Sequence, residues 1–227
     1  MDLALHIPNG IINLPVSLAY LALSAAVVGF ALYKAREDLD QRLVPLAGLA
    51  CAFIFAAQML NFPVAAGVSG HLLGGALAVV LLGPWLAIAC VTVVLVLQAL
   101  VFADGGIMAI GLNVANMAVL SSLTAALVVL ALRKILPSNR TGVIATVFIA
   151  SVLSVLVAAL GFVLQFAIGG EPIGPSLAAL TATMLGVHLL IGLGEGAISA
   201  LTVASVASTR PDLVWALKNQ PKETVDA

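Results

Sequence analysis

Three histidines, His6, His71 and His188, stand in a chain with few other groups able to do chemistry. Neutral imidazole suits Ni, Cu, Co and Zn ions. His6 lies in LHIPNG and His71 in SGHLLGG, both turn-rich stretches. Either alone reads most simply as a hydrogen-bonded packing residue. Two on one rim, joined by a backbone or terminal nitrogen, could make a metal site. His188 and Glu195, in HLLIGLGEG, are seven residues apart, two turns along one helix face. A carboxylate at mid-membrane costs about 2.5–3.5 kcal/mol on insertion scales, so Glu195 should face an interior and have a partner. It reads as a hydrogen-bond clamp between helices, or as a proton-linked gate behind a metal site. Asp104, Asn113 and Asn116 lie in or beside FADGGIMAIGLNVANM. Asp-Gly-Gly is first of all a turn. The two asparagines, three apart, can share a helix face and orient a ligand loop. Cys51 and Cys90 sit inside apolar runs and read as small hydrophobes rather than a disulfide or ligand pair. HExxH and GxxxxGK[ST] are absent from the sequence, so neither a zincin nor an ATPase has motif support.

The elements that must position these groups are membrane helices. Of 227 residues, 63% are hydrophobic and only 8% charged, with a mean hydropathy of +1.22. A soluble domain carries about 25% charged residues. The composition therefore implies a polytopic membrane protein, with the lipid bilayer of the cell membrane as its solvent. A net charge of −1 gives no footprint for nucleic acid. The only charge before the first apolar segment is Asp2, which argues against a cleaved signal peptide.

A helix needs about 20 apolar residues to cross the hydrocarbon core. Spans are predicted at about 15–33, 43–60, 72–83, 85–102, 113–132, 143–167 and 179–207. The third is short and Gly83-Pro84 separates it from the fourth. The last is long enough to contain a break near Gly192 or Gly194. All nine Lys and Arg residues follow spans one, five and seven: Lys34, Arg36, Arg42; Arg133, Lys134, Arg140; Arg210, Lys218, Lys222. With seven spans and the N-terminus outside, all nine are cytoplasmic. The outer segments, 1–14, 61–71, 103–112 and 168–178, then hold only Asp2, Asp104 and Glu171 as charges. The organisation expected is an N-terminal loop over 1–14, a bundle over 15–210 and a polar cytoplasmic tail over 211–227. Short helices with Gly and Pro breaks are how transporters build binding sites.

NFPV followed by SGHLLGGALAVVLLGPW, then LVLQALVFADGGIMAIGLNVANMAV, resembles the CbiM/NikM family, the metal-capturing membrane subunits of energy-coupling-factor transporters for cobalt or nickel. HIPNG is similar to the family's start and HLLIGLGEG to its last helix, so the resemblance covers nearly the whole chain. It implies an N-terminal loop folded into the bundle and a metal held by four nitrogens. These are the terminal amine, the backbone amide and imidazole of the next residue, a histidine, and one further histidine. By motif match these histidines are His6 and His71. Asn61 and Ser69 beside His71, together with Asp104, Asn113, Asn116, His188 and Glu195, are expected around that site. Four planar nitrogens suit Ni(II) and Cu(II), and Co(II) less readily; Zn(II) prefers a tetrahedron. Selectivity over Cu(II), which binds most tightly, must then come from geometry and availability. The resemblance further implies a transmembrane coupling subunit, cytoplasmic ATPase subunits, and a small accessory membrane subunit. Ala52 and Ala56, four apart, would permit close helix contact with the coupling subunit.

The chain departs from the family in two places. Asn9 stands where the family has Asp. Leu5 stands where the family's Met carries the free amine, with MDLA before it. Initiation at codon 5, where TTG or CTG reads as Met, or removal of MDLA, would restore the amine; otherwise His6 and His71 need different additional ligands. Two other functions are compatible with the residues alone: a membrane metalloenzyme using His71, His188 and Glu195, and a vitamin-binding subunit of similar build, which would need an open outer cavity. Cobalt and nickel are not distinguished by the sequence.

Overall fold

The apolar runs fold into helices, because a helix satisfies its backbone polar groups internally where lipid offers them no partner. In a computed structural model, residues 6–38, 43–59, 62–65, 68–137, 139–171 and 176–217 are described. Seven principal helices follow in order: α1 Leu14–Asp38, α2 Leu43–Gln58, α3 Gly75–Leu82, α4 Pro84–Val101, α5 Ile110–Leu132, α6 Arg140–Gly169 and α7 Leu177–Thr209. Each coincides with a predicted span. Two corrections follow. Five of the seven, α1, α4, α5, α6 and α7, are long and apolar enough to cross a membrane, whereas α3 has only 8 residues. And α7 runs through Gly192 and Gly194 without a break.

The helices alternate in direction, as their ends show. His6 lies against Asp104, beyond the end of α4, and against His71, ahead of α3. Gln58, at the end of α2, bonds the Leu73 carbonyl. Asn13, ahead of α1, donates to Gly169, at the end of α6. One end of the bundle therefore gathers the starts of α1, α3 and α5 and the ends of α2, α4 and α6.

A two-stranded antiparallel hairpin, β1 Phe62–Ala65 and β2 Val68–Gly70, joins α2 to the irregular stretch His71–Gly74. This stretch carries the chain inward before α3 begins. The side chain of Glu195, 18 residues into α7, or about 27 Å along a helix axis, bonds its main chain. All eight residues of α3 are buried. Val79 and Val80 join Val91 and Leu95 of α4, Ala125 and Val129 of α5 and Val147 and Ala150 of α6 in one core.

The segment after Pro211, expected to be a polar tail, packs under the bundle as far as Leu217. Val214 and Ala216 are buried. Trp215 seats on Gly83 so closely that a Cβ there would lie 3.0 Å from its indole nitrogen. Arg133 lies over the Trp215 ring at 4.6 Å and donates to its carbonyl at 2.9 Å. A cation over an indole face is attracted by the ring quadrupole. Residues 218–227 lie outside the described residues.

Candidate metal centre

His6, ahead of α1, and His71, ahead of α3, meet edge to face. Their ring centroids are 4.8 Å apart at an interplanar angle of 77°. Each residue is 6% exposed, which takes both imidazoles out of bulk water. Their Nδ1 atoms face oxygen. His71 Nδ1 lies 2.9 Å from the Leu72 carbonyl. His6 Nδ1 lies 3.4 Å from both the main-chain oxygen and Oδ1 of Asp104. For His71, an Nδ1–H given to the Leu72 carbonyl leaves Nε2 as the bare nitrogen, and an acceptor behind a ligating imidazole fixes its orientation and raises its basicity. The Nε2 of His6 is buried and has no hydrogen-bond partner among the described residues.

The His6 loop is held by main-chain recognition. Asn113, in the first turn of α5, accepts the Ile7 N–H at 3.0 Å and donates to the Ile7 carbonyl at 3.3 Å. Gly106 N–H also donates to that carbonyl, at 3.0 Å. Asn9 Oδ1 accepts from Met108 N–H at 3.0 Å. The Asp-Gly-Gly turn fits around this loop without side chains. Gly105 takes φ +87°, and a Cβ there would lie 2.8 Å from His6 Cβ. A Cβ on Gly106 would lie 2.5 Å from the Asn9 nitrogen. Downstream, an Ile12–Gly170 bridge and the Glu171 N–H to the Ile11 carbonyl, at 3.0 Å, fasten the loop to the end of α6.

The His71 segment is held from two helices. Glu195, 1% exposed, accepts from Leu73 N–H at 2.6 Å and Gly74 N–H at 3.1 Å. Gln58 donates to the Leu73 carbonyl at 2.7 Å. The carboxylate thus satisfies amides beside the start of α3, where orphan N–H groups and the helix dipole favour negative charge.

The remaining residues expected around the site are placed variously. Asp104 touches His6, and Asn113 holds the adjoining loop. Asn116 faces elsewhere: it exchanges amide bonds with Gln165 of α6 at 2.8 and 3.0 Å. The cause is a π-helical stretch, Val114–Leu120, inside α5. Its wider turn advances fewer degrees per residue, so Asn113 and Asn116 do not share a face. His188 is half-buried and its Nδ1 lies 2.8 Å from the Met184 carbonyl of its own helix; no bond joins it to Glu195, so the grouping of His71, His188 and Glu195 is not assembled. The backbone of Ser69 lies in β2, while Leu5 and Asn61 lie outside the described residues. Three fully buried carboxamides were missed by sequence reasoning, Gln58, Gln98 and Gln165. The signal was present in FAAQML and VLVLQALV, where a lone carboxamide interrupts an apolar run. Cys51 and Cys90 are free thiols in neighbouring helices.

Residues 6–213 match the family model described as the cobalt uptake substrate-specific transmembrane region. A putative fused nickel transport protein of Archaeoglobus fulgidus is 40% identical over 92% of this chain and 68% of its own length. A putative metal transport protein of Haloquadratum walsbyi is 39% identical over 93% of this chain and 94% of its own. The cobalt transport protein CbiM of Geobacter sulfurreducens is 30% identical over 93% and 62%. Among solved structures, a truncated transition metal transporter superposes with a TM-score of 0.78 at 27% identity, covering 89% of this chain and 98% of that one.

Proposed function

This chain belongs to the CbiM family and is a multi-pass membrane protein of cobalt or nickel transport, and we propose that it is the substrate-capture component of an energy-coupled importer for Ni(II) or Co(II). The observation that carries this reading is the buried pair of His6 and His71, whose ring centroids lie 4.8 Å apart. Among the described residues no group of three or more His, Cys, Asp or Glu side chains forms a metal cage. The other two donors are those the family resemblance implies, main-chain nitrogens: the backbone amide of His6 and the nitrogen of Leu5, as a free amine after initiation at codon 5 or loss of MDLA. The tight fit of Gly105 and Gly106 over His6 and Asn9 disfavours a large organic ligand at this place.

The grouping of Lys and Arg supports an external N-terminus and a metal site opening outward. Capture alone moves no ion across the membrane. The sequence has no P-loop, so ATP hydrolysis is assigned to cytoplasmic ATPase partners, acting through a transmembrane coupling subunit and a small accessory membrane subunit.

The test is the intact native mass of the purified protein with Co(II) and then Ni(II) added, for the wild type and for His6→Ala and His71→Ala. One ion per wild-type chain, lost in both variants, is the expected result; the same spectrum locates the first residue. Ion retained in both variants, or none in the wild type, sinks the reading.

A further inference from the structure

A cleft of about 200 Å³ opens beside the His6 loop. Its walls come from three places: Pro8, Asn9 and Asn13 of the loop, Met108 and Leu112 around the start of α5, and Glu171, which follows α6. Pro8 stands two residues after His6, so the cleft adjoins the histidine pair. Hydrogen bonds to the main chain fix its walls. Asn9 Oδ1 accepts the Met108 N–H at 3.0 Å, and Asn13 Oδ1 accepts the Val16 N–H at 3.1 Å. The Glu171 N–H donates to the Ile11 carbonyl at 3.0 Å. Each carboxamide oxygen keeps a lone pair for a further donor.

Glu171 is part-exposed and enters none of the ion pairs formed among the described residues. The directions of the helices explain why. Lys34 and Arg36 end α1, Arg133 and Lys134 follow α5, Arg140 opens α6 and Arg210 follows α7. All six of these cations therefore stand at the far end of the bundle. Asp104, the neighbouring carboxylate at the metal end, is buried against His6. Among the described residues, Glu171 is thus the one charge that meets solvent at the metal end, and no protein cation cancels its field. The space suits a hydrated ion. An octahedral aqua ion carries six waters, at about 30 Å³ each about 180 Å³ in all.

Resting on the capture reading above, we infer that this cleft is an encounter site for the hydrated Ni(II) or Co(II) ion, with Glu171 supplying charge and Asn9 and Asn13 supplying acceptor oxygens for its coordinated waters. Water bound to a divalent cation is a stronger donor than bulk water, because the cation acidifies it. The ion waits there with its water shell intact and sheds that shell on passing to the nitrogens beyond Pro8. An aqua ion first pairs with its target and only then loses water, so the rate of capture scales with the population held at the mouth. The cleft is left behind once nitrogen is bound. It therefore speeds loading and unloading alike and changes equilibrium affinity little.

The test follows Ni(II) binding by rapid mixing in an uncharged detergent, from the absorbance change on binding, for the wild type, Glu171→Gln and Asn9→Asp. At low salt Glu171→Gln should slow association about three- to tenfold and slow dissociation by a similar factor. Added salt should close the gap, because screening removes the attraction. Asn9→Asp, which adds a charge to the same cleft, should speed association. Hexaamminecobalt(III) keeps its ligands and cannot pass to the nitrogens, so it probes the cleft itself. At matched ionic strength it should slow Ni(II) association to the wild type and leave Glu171→Gln unaffected. Equal association rates in all three proteins, or equal inhibition of wild type and Glu171→Gln by the probe, would overturn the inference and make Glu171 a surface carboxylate only. A wild type that takes up no Ni(II) brings down the capture reading and this inference with it. A wild type that takes it up at a rate indifferent to Glu171 brings down this inference alone.

Discussion

Asn113 grips Ile7 by both of its main-chain groups, accepting the N–H at 3.0 Å and donating to the carbonyl at 3.3 Å. The neighbouring residue is His6, so this pair of bonds sets how deep the imidazole sits. Asn113→Ala removes both. At about 0.5–1.5 kcal/mol per bond, Ni(II) affinity should fall about five- to 150-fold, measured by titration. The helices make few other demands on Asn113, so the melting temperature should move little. Unchanged affinity would mean that the loop finds its place without the clamp.

Gly106 tests the same loop from above. A methyl group there would meet the Asn9 backbone at 2.5 Å, and backbone yields less readily than a side chain. Gly106→Ala should lift the loop and abolish high-affinity metal binding while leaving helical content intact by circular dichroism. Asn9→Asp should be silent in the same assay, because a carboxylate oxygen can still accept the Met108 N–H.

Glu195 faces two amides beside the start of α3. Glu195→Ala leaves both buried N–H groups unpaired, a loss of about 1–3 kcal/mol for each, and melting should drop clearly. Glu195→Gln retains one acceptor oxygen and should fall between the two. Metal affinity should follow the same order, since His71 lies two residues before Leu73. Equal melting for all three proteins would remove the clamp from the account.

Trp215 predicts the opposite pattern. A fully buried Trp→Ala change costs about 3–5 kcal/mol; Trp215 is half-buried, so about 1–3 kcal/mol is expected. Trp215→Ala should lower the melting temperature in detergent and leave Ni(II) affinity unchanged, because the residue sits at the far end of α3.

Protonation supplies a further check. Imidazole ligates in its neutral form, and an ordinary imidazole takes up a proton near pH 6.5. Protons and metal compete for the same nitrogens, so affinity should be retained above that region and fall as pH drops through it. Ni(II) affinity that stays flat from pH 7.5 to 5 would exclude imidazole ligation.

Much of this was readable in advance, and for physical reasons. Hydrophobic length locates helices because lipid makes no exception for their backbones, and the two Gly-rich loops stood out because membrane segments seldom contain such turns. The clamp role of Glu195 followed from the cost of a carboxylate in hydrocarbon. What escaped depends on geometry that composition does not encode. The π-helical winding after Asn113 turned Asn116 toward Gln165, and nothing in VANMAVL announces the extra residue in the turn. His188 was paired with Glu195 by spacing, yet a half-buried imidazole had a nearer acceptor one turn back on its own helix. The docking of residues 214–217 was hidden because Val-Trp-Ala-Leu is short and sits among charges. Gln98 was visible but passed over as one polar residue in an apolar run.

The brevity of α3 bears on how the protein is made. Its 8 residues span about 12 Å, under half of a hydrocarbon core of about 30 Å. A segment so short gives the insertion machinery little to recognise as a span. It has no stable place until α5 and α6 supply its walls, α7 delivers Glu195 to its entrance, and Trp215 closes its far end. Those elements emerge from the ribosome later, Trp215 last among the described residues. The supporting helix of the His71 segment is therefore completed only after all seven helices have been made. A chain cut short before Val214 should be lost to quality control as an immature product, even though every residue proposed to touch the metal has already been made.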